Sequence, residues 1–238
     1  MSTTLHDPRL QDPTLQDPKV THDPHDLHAL RAGFTHEAYG SQAVFRAALD
    51  ALSRPGRLVS IGDVSELPRA GYGAAAALLL ALLDADCTLW LSASLRRGDA
   101  GAWLRFHTGC QLVEDIGAAQ FAWVARGDML PALDSLRCGS DEFPDHSATC
   151  IIEVGSVNDG GASSVTDSSH ADSSGWTLTG PGIAHAQHIS VPDLDCGFVP
   201  QWQHNHSLFP RGVDVYLATR QHVLGLPRTT RITIGTEA

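Results

Sequence analysis

Residues 73–84, GAAAALLLALLD, are apolar on nearly every side when wound as a helix. A surface helix keeps one polar face for water, and this one has none to give. It must therefore lie inside a fold, covered from more than one direction. The apolar run from Ala74 to Leu83 spans ten residues, about half of a bilayer crossing. Its destination is a protein core and not a membrane.

The flanking sequence supplies the cover. Residues 37–53 place Val44, Ala48, Ala51 and Leu52 on one helical face, and Arg54-Pro55-Gly56 stops the helix. Residues 57–61 read as a short strand and 87–92 as another. Residues 96–106 read as a helix, 121–125 as an apolar strand, and 130–138 as a short helix opening at Pro131. Residues 148–154 form a further apolar strand, rich in β-branched side chains. Strands alternating with helices predict a three-layer α/β/α sandwich. Residues 176–179 then read as a strand, and Gly180-Pro181-Gly182 as a tight turn. Residues 212–226 read as a β-hairpin around Thr219-Arg220-Gln221-His222, and 231–234 as a last short strand.

Two segments fall outside this pattern. In residues 1–32, Asp-Pro recurs at Asp7-Pro8, Asp12-Pro13, Asp17-Pro18 and Asp23-Pro24. Each proline removes a backbone donor and biases the preceding residue away from helix. With few apolar side chains to offset ordering entropy, this segment reads as a disordered tail. Its histidines, His6, His22, His25 and His28, read as solvated, with loose metal binding as the alternative. The domain is expected over residues 33–238, interrupted at 158–175 by a polar surface loop rich in Gly, Ser, Asp, Asn and Thr.

Composition narrows the chemistry. The chain has one lysine, Lys19, beside fifteen arginines. A Schiff base needs a lysine amine held in a fold, and a P-loop needs Gly-Lys-Ser/Thr. Lys19 lies in the Asp-Pro tail, so both chemistries are excluded. The net charge of −11 repels phosphate backbones and argues against nucleic acid as a partner. Cys87, Cys110, Cys138, Cys150 and Cys196 contain no CxxC pair. They read as buried free thiols in a reducing cytoplasm. No secretory signal is visible at the N-terminus, so a soluble cytoplasmic protein is expected.

No complete active site emerges. Gly71-Tyr72-Gly73 could aim backbone donors at an anion but reads better as a helix start. Gly-x-Ser-x-Gly is missing. His107 and Cys110 are sequence neighbours, which rarely gives a working Cys–His pair. His185 with His188, and His204 with His206, lack the i, i+4 spacing of helical metal ligands. No metal site and no catalytic residue is assigned. Arg105, Arg211 and Arg228, at element ends, are the candidate anion binders; structural ion pairs are the alternative.

Six stretches, taken in order, carry a family resemblance. They are Val44-Phe45-Arg46 through Ser53-Arg54-Pro55-Gly56, Leu78-Leu79-Leu80 with Leu89-Trp90-Leu91-Ser92, and Leu104-Arg105-Phe106-His107-Thr108. Further on come Leu178-Thr179-Gly180-Pro181-Gly182-Ile183, Phe209-Pro210-Arg211-Gly212-Val213-Asp214 and Leu226-Pro227-Arg228-Thr229-Thr230. This ordered set, over residues 36–234, resembles the H subunit of the bacterial carbon–phosphorus lyase system, which degrades phosphonates. The resemblance implies a fold similar to the large domain of pyridoxal-phosphate-dependent transferases, but without pyridoxal phosphate or any other cofactor. It implies a homodimer in isolation and a place in a core complex with the G, I and J subunits. In that family the G, H and I subunits, with the L protein, support transfer of a phosphonate to the ribose of ATP with loss of adenine. The expected function is thus a non-catalytic or assisting subunit. The alternatives are a stand-alone small-molecule hydrolase using His107, Cys110 or His204, a phosphonate- or nucleotide-binding protein, and a metal carrier acting through the tail.

Overall fold

The computed structural model describes residues 33–62, 67–159, 175–194 and 197–234. The Asp-Pro tail, Cys196 and most of the polar 158–175 segment lie outside the described residues.

Two helices and the strands beneath them follow the sequence reading closely. Helix α1 is Glu37–Ser53 and buries Val44, Ala48 and Ala51. Strand β1 is Val59–Ser60. Helix α2 is Gly73–Leu82, and Ala74 through Leu79 are all buried, as a helix without a polar face requires. Strand β2 is Thr88–Leu91.

The expected helix over 96–106 is instead two: α3, Ala93–Arg97, and α4, Ala100–Thr108. The break has a cause. Asp99 turns its carboxylate to the loop before α2, accepting from the backbone N–H of Arg69 and of Ala70, each at 3.0 Å. That loop comes so close that a Cβ on Gly98 would lie 2.4 Å from the Cβ of Ala70. The break falls where Gly98 and Asp99 are held against that loop.

Strand β3, Gln111–Leu112, was not anticipated. Strands β4, Phe121–Val124, and β5, Thr149–Glu153, were. The helix expected over 130–138 is a correction. Only Leu133–Ser135 turn, as a single 3-10 turn. Leu133 donates its N–H to the Gln201 side chain at 3.0 Å, and Arg137 and Cys138 run extended against Ala148 and Ser147. Tertiary contacts take the backbone groups a helix would have used.

The remaining elements are β6, Asn158–Asp159; β7, Trp176–Thr179; β8, Gln187–Ser190; α5, Phe198–Ser207; β9, Asp214–Ala218; β10, His222–Leu226; and β11, Arg231–Ile234. The expected polar loop thus starts as a strand, since Asn158 pairs with Ser190 of β8.

Seven strands form one sheet in the order β1-β10-β9-β5-β4-β2-β3. The five from β9 to β3 are mutually parallel, and β10 runs against its neighbours. Side chains alternate between two cores. Trp123, Ile151, Tyr216 and Val223 face α1, α2 and α4. Ala122, Val124, Cys150, Ile152, Val215, Leu217 and Leu224 face the other way. Burial on both faces is why these strands read as unbroken apolar runs.

The second face differs from the sandwich expected. It is covered by α5 together with a four-stranded antiparallel sheet, β11-β7-β8-β6. Helices therefore layer one face, and a helix with a small sheet layers the other. The architecture is α/β. Asn205 of α5 clasps the start of β9, donating to the Val213 carbonyl at 2.9 Å and accepting from its N–H at 2.8 Å. Trp202 adds a 2.8 Å bond from its indole N–H to the Thr230 carbonyl.

Helix α1 rests directly on β10. A Cβ on Gly225 would sit 2.6 Å from the carbonyl carbon and oxygen of Ala51, and the Tyr216 hydroxyl donates to the Ala48 carbonyl at 3.1 Å. Replacing Gly225 with Ala should force backbone against backbone and cost about 2 kcal/mol or more, the range of overpacking. Urea denaturation of Gly225→Ala against the wild type measures it, and an unchanged midpoint would contradict this packing.

Candidate functional site

In open sheets with parallel strands, the crevice that holds ligands lies beyond the carboxyl ends of the strands, where successive connections leave in opposite directions. Here that place is the carboxyl end of β2, flanked by β3 on one side and β4 on the other. Ser92 follows β2, Ala125-Arg126-Gly127-Asp128 follow β4, and Glu153 ends β5.

Glu153 is the centre of the site. It is 4% exposed and accepts three hydrogen bonds. Its Oε1 takes the backbone N–H of Tyr72 at 2.6 Å and the indole N–H of Trp123 at 2.9 Å. Its Oε2 takes the backbone N–H of Arg126 at 3.2 Å. Tyr72 is the N-cap of α2, so this carboxyl sits at the positive end of that helix. Burial nonetheless pushes its pKa above the usual carboxylate range, helped by Asp128 and opposed by the three donors. The close approach depends on Gly71, at φ +92, where a Cβ would lie 2.3 Å from Trp123.

Charged groups ring this centre. Arg126 pairs with Asp193 at 3.1 Å, and Asp193 also accepts from the Gly155 N–H. The Arg220 guanidinium lies 4.9 Å from the centre of the Tyr72 ring. Ser94 donates to Asp128 from its hydroxyl and its backbone N–H. Burial pushes Asp128 up, but the bonds from Ser92 and Ser94 hold it below its usual range. A cavity of about 250 Å³ opens beside these groups, lined by Gly127, Asp128, Met129, Glu153, Asp193 and Gln201.

The arrangement positions charge but assembles no nucleophile. Both oxygens of Glu153 are engaged. Ser94 faces a carboxylate with a lowered pKa, a poor base, and hydrogen bonds to no imidazole. No lysine occurs among the described residues, so they offer no amine to hold pyridoxal phosphate. Among the described residues no group of three or more His, Cys, Asp or Glu could hold a metal. None of their helices is long and apolar enough to cross a membrane.

The candidates read from sequence lie elsewhere and apart. Arg228 spends its donors within the protein. It grips Asp214 through Nε at 3.1 Å and a terminal nitrogen at 2.7 Å, and donates to Ser147 Oγ and the carbonyls of Pro144 and Pro210. This is the structural ion pair weighed against anion binding, and it lies at the amino end of β9. Arg211 sits 3.3 Å from Asp141 at the surface. Arg105 is exposed on α4, on the helical face of the sheet. The three arginines do not form one site. Cys110 is buried, which raises its thiol pKa, and His107 packs edge-on against Trp103 and Phe106. His188 meets Thr177 at 3.1 Å, and His204 and His206 lie on α5. The Gly71-Tyr72-Gly73 turn does start a helix, and the Tyr72 N–H donates to the protein's own Glu153 carboxyl. Of the groups sequence reasoning missed, only Glu153 left a signal, as a lone acid closing an apolar strand.

Fold and site define an α/β protein in which a buried carboxyl at the carboxyl ends of the strands is held by the protein's own donors. A sequence model of the family described as "Bacterial phosphonate metabolism protein (PhnH)" matches residues 32–233. The PhnH subunit of alpha-D-ribose 1-methylphosphonate 5-triphosphate synthase from Rhizobium meliloti (strain 1021) is 32% identical over 199 residues, 84% of this chain and 93% of that protein. HtxG of Stutzerimonas stutzeri, named as a C-P lyase subunit protein, is 32% identical over 201 residues, 83% of this chain and 88% of its own. The chain belongs to the PhnH family.

Two substitutions test the geometry. Arg228→Lys keeps the charge but loses the planar fork, and should cost about 3 kcal/mol by leaving a mostly buried Asp214 poorly paired. Chemical denaturation reads it. For Glu153 the raised pKa fixes a sign. The folded state holds its proton more tightly than the unfolded chain, so this group's contribution to stability is full below the ordinary carboxylate pKa. It is lost as pH rises through the folded pKa. Glu153→Gln removes that titration. The stability difference, wild type minus Glu153→Gln, should therefore fall as denaturation curves are taken from acid toward neutral pH.

Proposed function

We propose that this chain is a non-catalytic, assisting subunit of a carbon–phosphorus lyase core complex, acting in phosphonate breakdown in the cytoplasm. The observation that carries this reading is the family match over residues 32–233, shared with relatives named as subunits. The geometry supports it. Glu153 accepts from Tyr72, Trp123 and Arg126 at the carboxyl ends of the strands, so this carboxyl serves to join distant segments of the fold.

The fold is read as the large domain of a pyridoxal-phosphate-dependent transferase that has lost its cofactor. Support comes from the seven-stranded sheet with β10 running against its neighbours, and from a chain whose one lysine is Lys19. In this reading the G, I and J subunits are its partners, the chain pairs with itself when alone, and the bond-breaking chemistry belongs to the neighbours.

The test is a pulldown of the tagged full chain from cells grown on a phosphonate as phosphorus source. Recovery of the G, I and J subunits in one stable complex is the expected result. A chain that stays apart from them under gentle conditions, or that turns over ATP and a phosphonate unaided, overturns the reading.

A further inference from the structure

Three of the stretches that carry the family resemblance, far apart in sequence, come together at one surface cleft. Thr179, Gly180 and Pro181 come from the first, Phe209 from the second and Thr229 from the third; His206 and Arg231 complete the lining of a space of about 630 Å³. It adjoins the Arg228–Asp214 cluster, at the other end of the large sheet from Glu153.

Part of this convergence is structural. Gly180, at φ +134, leaves no room for a Cβ, which would lie 2.9 Å from the Thr229 carbonyl oxygen. Arg228 ties the cleft floor to the sheet through Asp214. The outward groups have no such role. Phe209 is 61% exposed, and Arg231, Thr179 and Pro181 are exposed as well.

Arg231 is held in place. The Arg228 carbonyl can only accept, so His206 Nδ1 donates to it, at 2.8 Å. That leaves Nε2 as the unprotonated nitrogen, and it accepts from Arg231 Nε at 3.3 Å. The relay Arg228 carbonyl, His206, Arg231 fixes the guanidinium by its inner nitrogen. Its two terminal nitrogens keep no partner among the described residues. A guanidinium held by Nε, with both terminal nitrogens unengaged among the described residues, matches the paired oxygens of a phosphoryl group. The hydroxyls of Thr179 and Thr229 add donors at the rim, and the open ring of Phe209 offers a flat apolar surface beside them.

We propose that this cleft is a binding site for a small phosphonate or phosphate monoester bearing an aromatic or apolar group, with the oxyanion on Arg231 and the organic group on Phe209. This goes beyond the subunit reading and does not rest on it. A chain that bound such a ligand but joined no complex would leave the proposal intact.

Isothermal titration calorimetry of the full chain with phenylphosphonate, methylphosphonate and inorganic phosphate tests it. Phenylphosphonate should bind saturably, at least about threefold tighter than methylphosphonate, since it alone can cover the Phe209 ring. Arg231→Gln should weaken both phosphonates about tenfold or more, the scale of a lost charge-assisted pair. Phe209→Ala should abolish the preference for the phenyl compound while retaining methylphosphonate. Both side chains are exposed, and unchanged thermal unfolding of the variants confirms that the fold is intact. No saturable binding at millimolar concentrations, or an Arg231→Gln variant that binds like the wild type, overturns the proposal. So does inorganic phosphate binding as tightly as phenylphosphonate.

Discussion

The rest of the structure depends on the burial of the central strands from both sides. Strands β4, β5 and β9 carry apolar side chains on alternate faces and have no face left for water. Helices α1, α2 and α4 close one side; α5 and the small antiparallel sheet close the other. A sheet of this kind can meet solvent only at its edges and at the two ends of its strands. Chemistry on the large sheet is therefore confined to strand ends, and the chain has built each end differently.

At the carboxyl end the dominant group is a carboxyl held by Tyr72, Trp123 and Arg126. At the amino end it is a guanidinium held by Asp214, Ser147 and two carbonyls. Both are polar groups satisfied within the fold, and both bind distant segments together. Glu153 joins β5 to the start of α2, across 81 positions of sequence. Arg228 joins the segment after β10 to the turn before β5, across 84. Each is a staple that holds distant segments together.

Much of the fold was legible because its signals are local. The even apolarity of residues 73–84 fixed α2 as a buried helix, and the spacing of Val44, Ala48 and Ala51 fixed the buried face of α1. What escaped depends on remote contacts. Strand β8, Gln187-His188-Ile189-Ser190, has one buried residue, Ile189, and becomes a strand because β7 pairs with it. The break between α3 and α4 exists because Asp99 caps a loop 29 and 30 positions away. The site was less legible still. Arg228 shows in sequence as a bare cation, and its roles depend on Asp214, Pro144 and Ser147. His206 reads as one of many histidines until its two neighbours, Arg228 and Arg231, are seen on either side of its ring.

The place of β9 in the sheet has a consequence for how the chain is made. It lies inside the sheet, between β5 and β10, yet it follows α5 in the chain, so a nascent polypeptide completes β2, β4 and β5 well before it. During that interval β5 offers a bare edge along Cys150, Ile151 and Ile152, the kind of edge that pairs with strangers. The inner face of α1 likewise waits for Tyr216 and Gly225, and the Ala48–Tyr216 bond closes a loop of 168 positions. Closure of this sheet depends on long-range contacts, the slow kind of folding step.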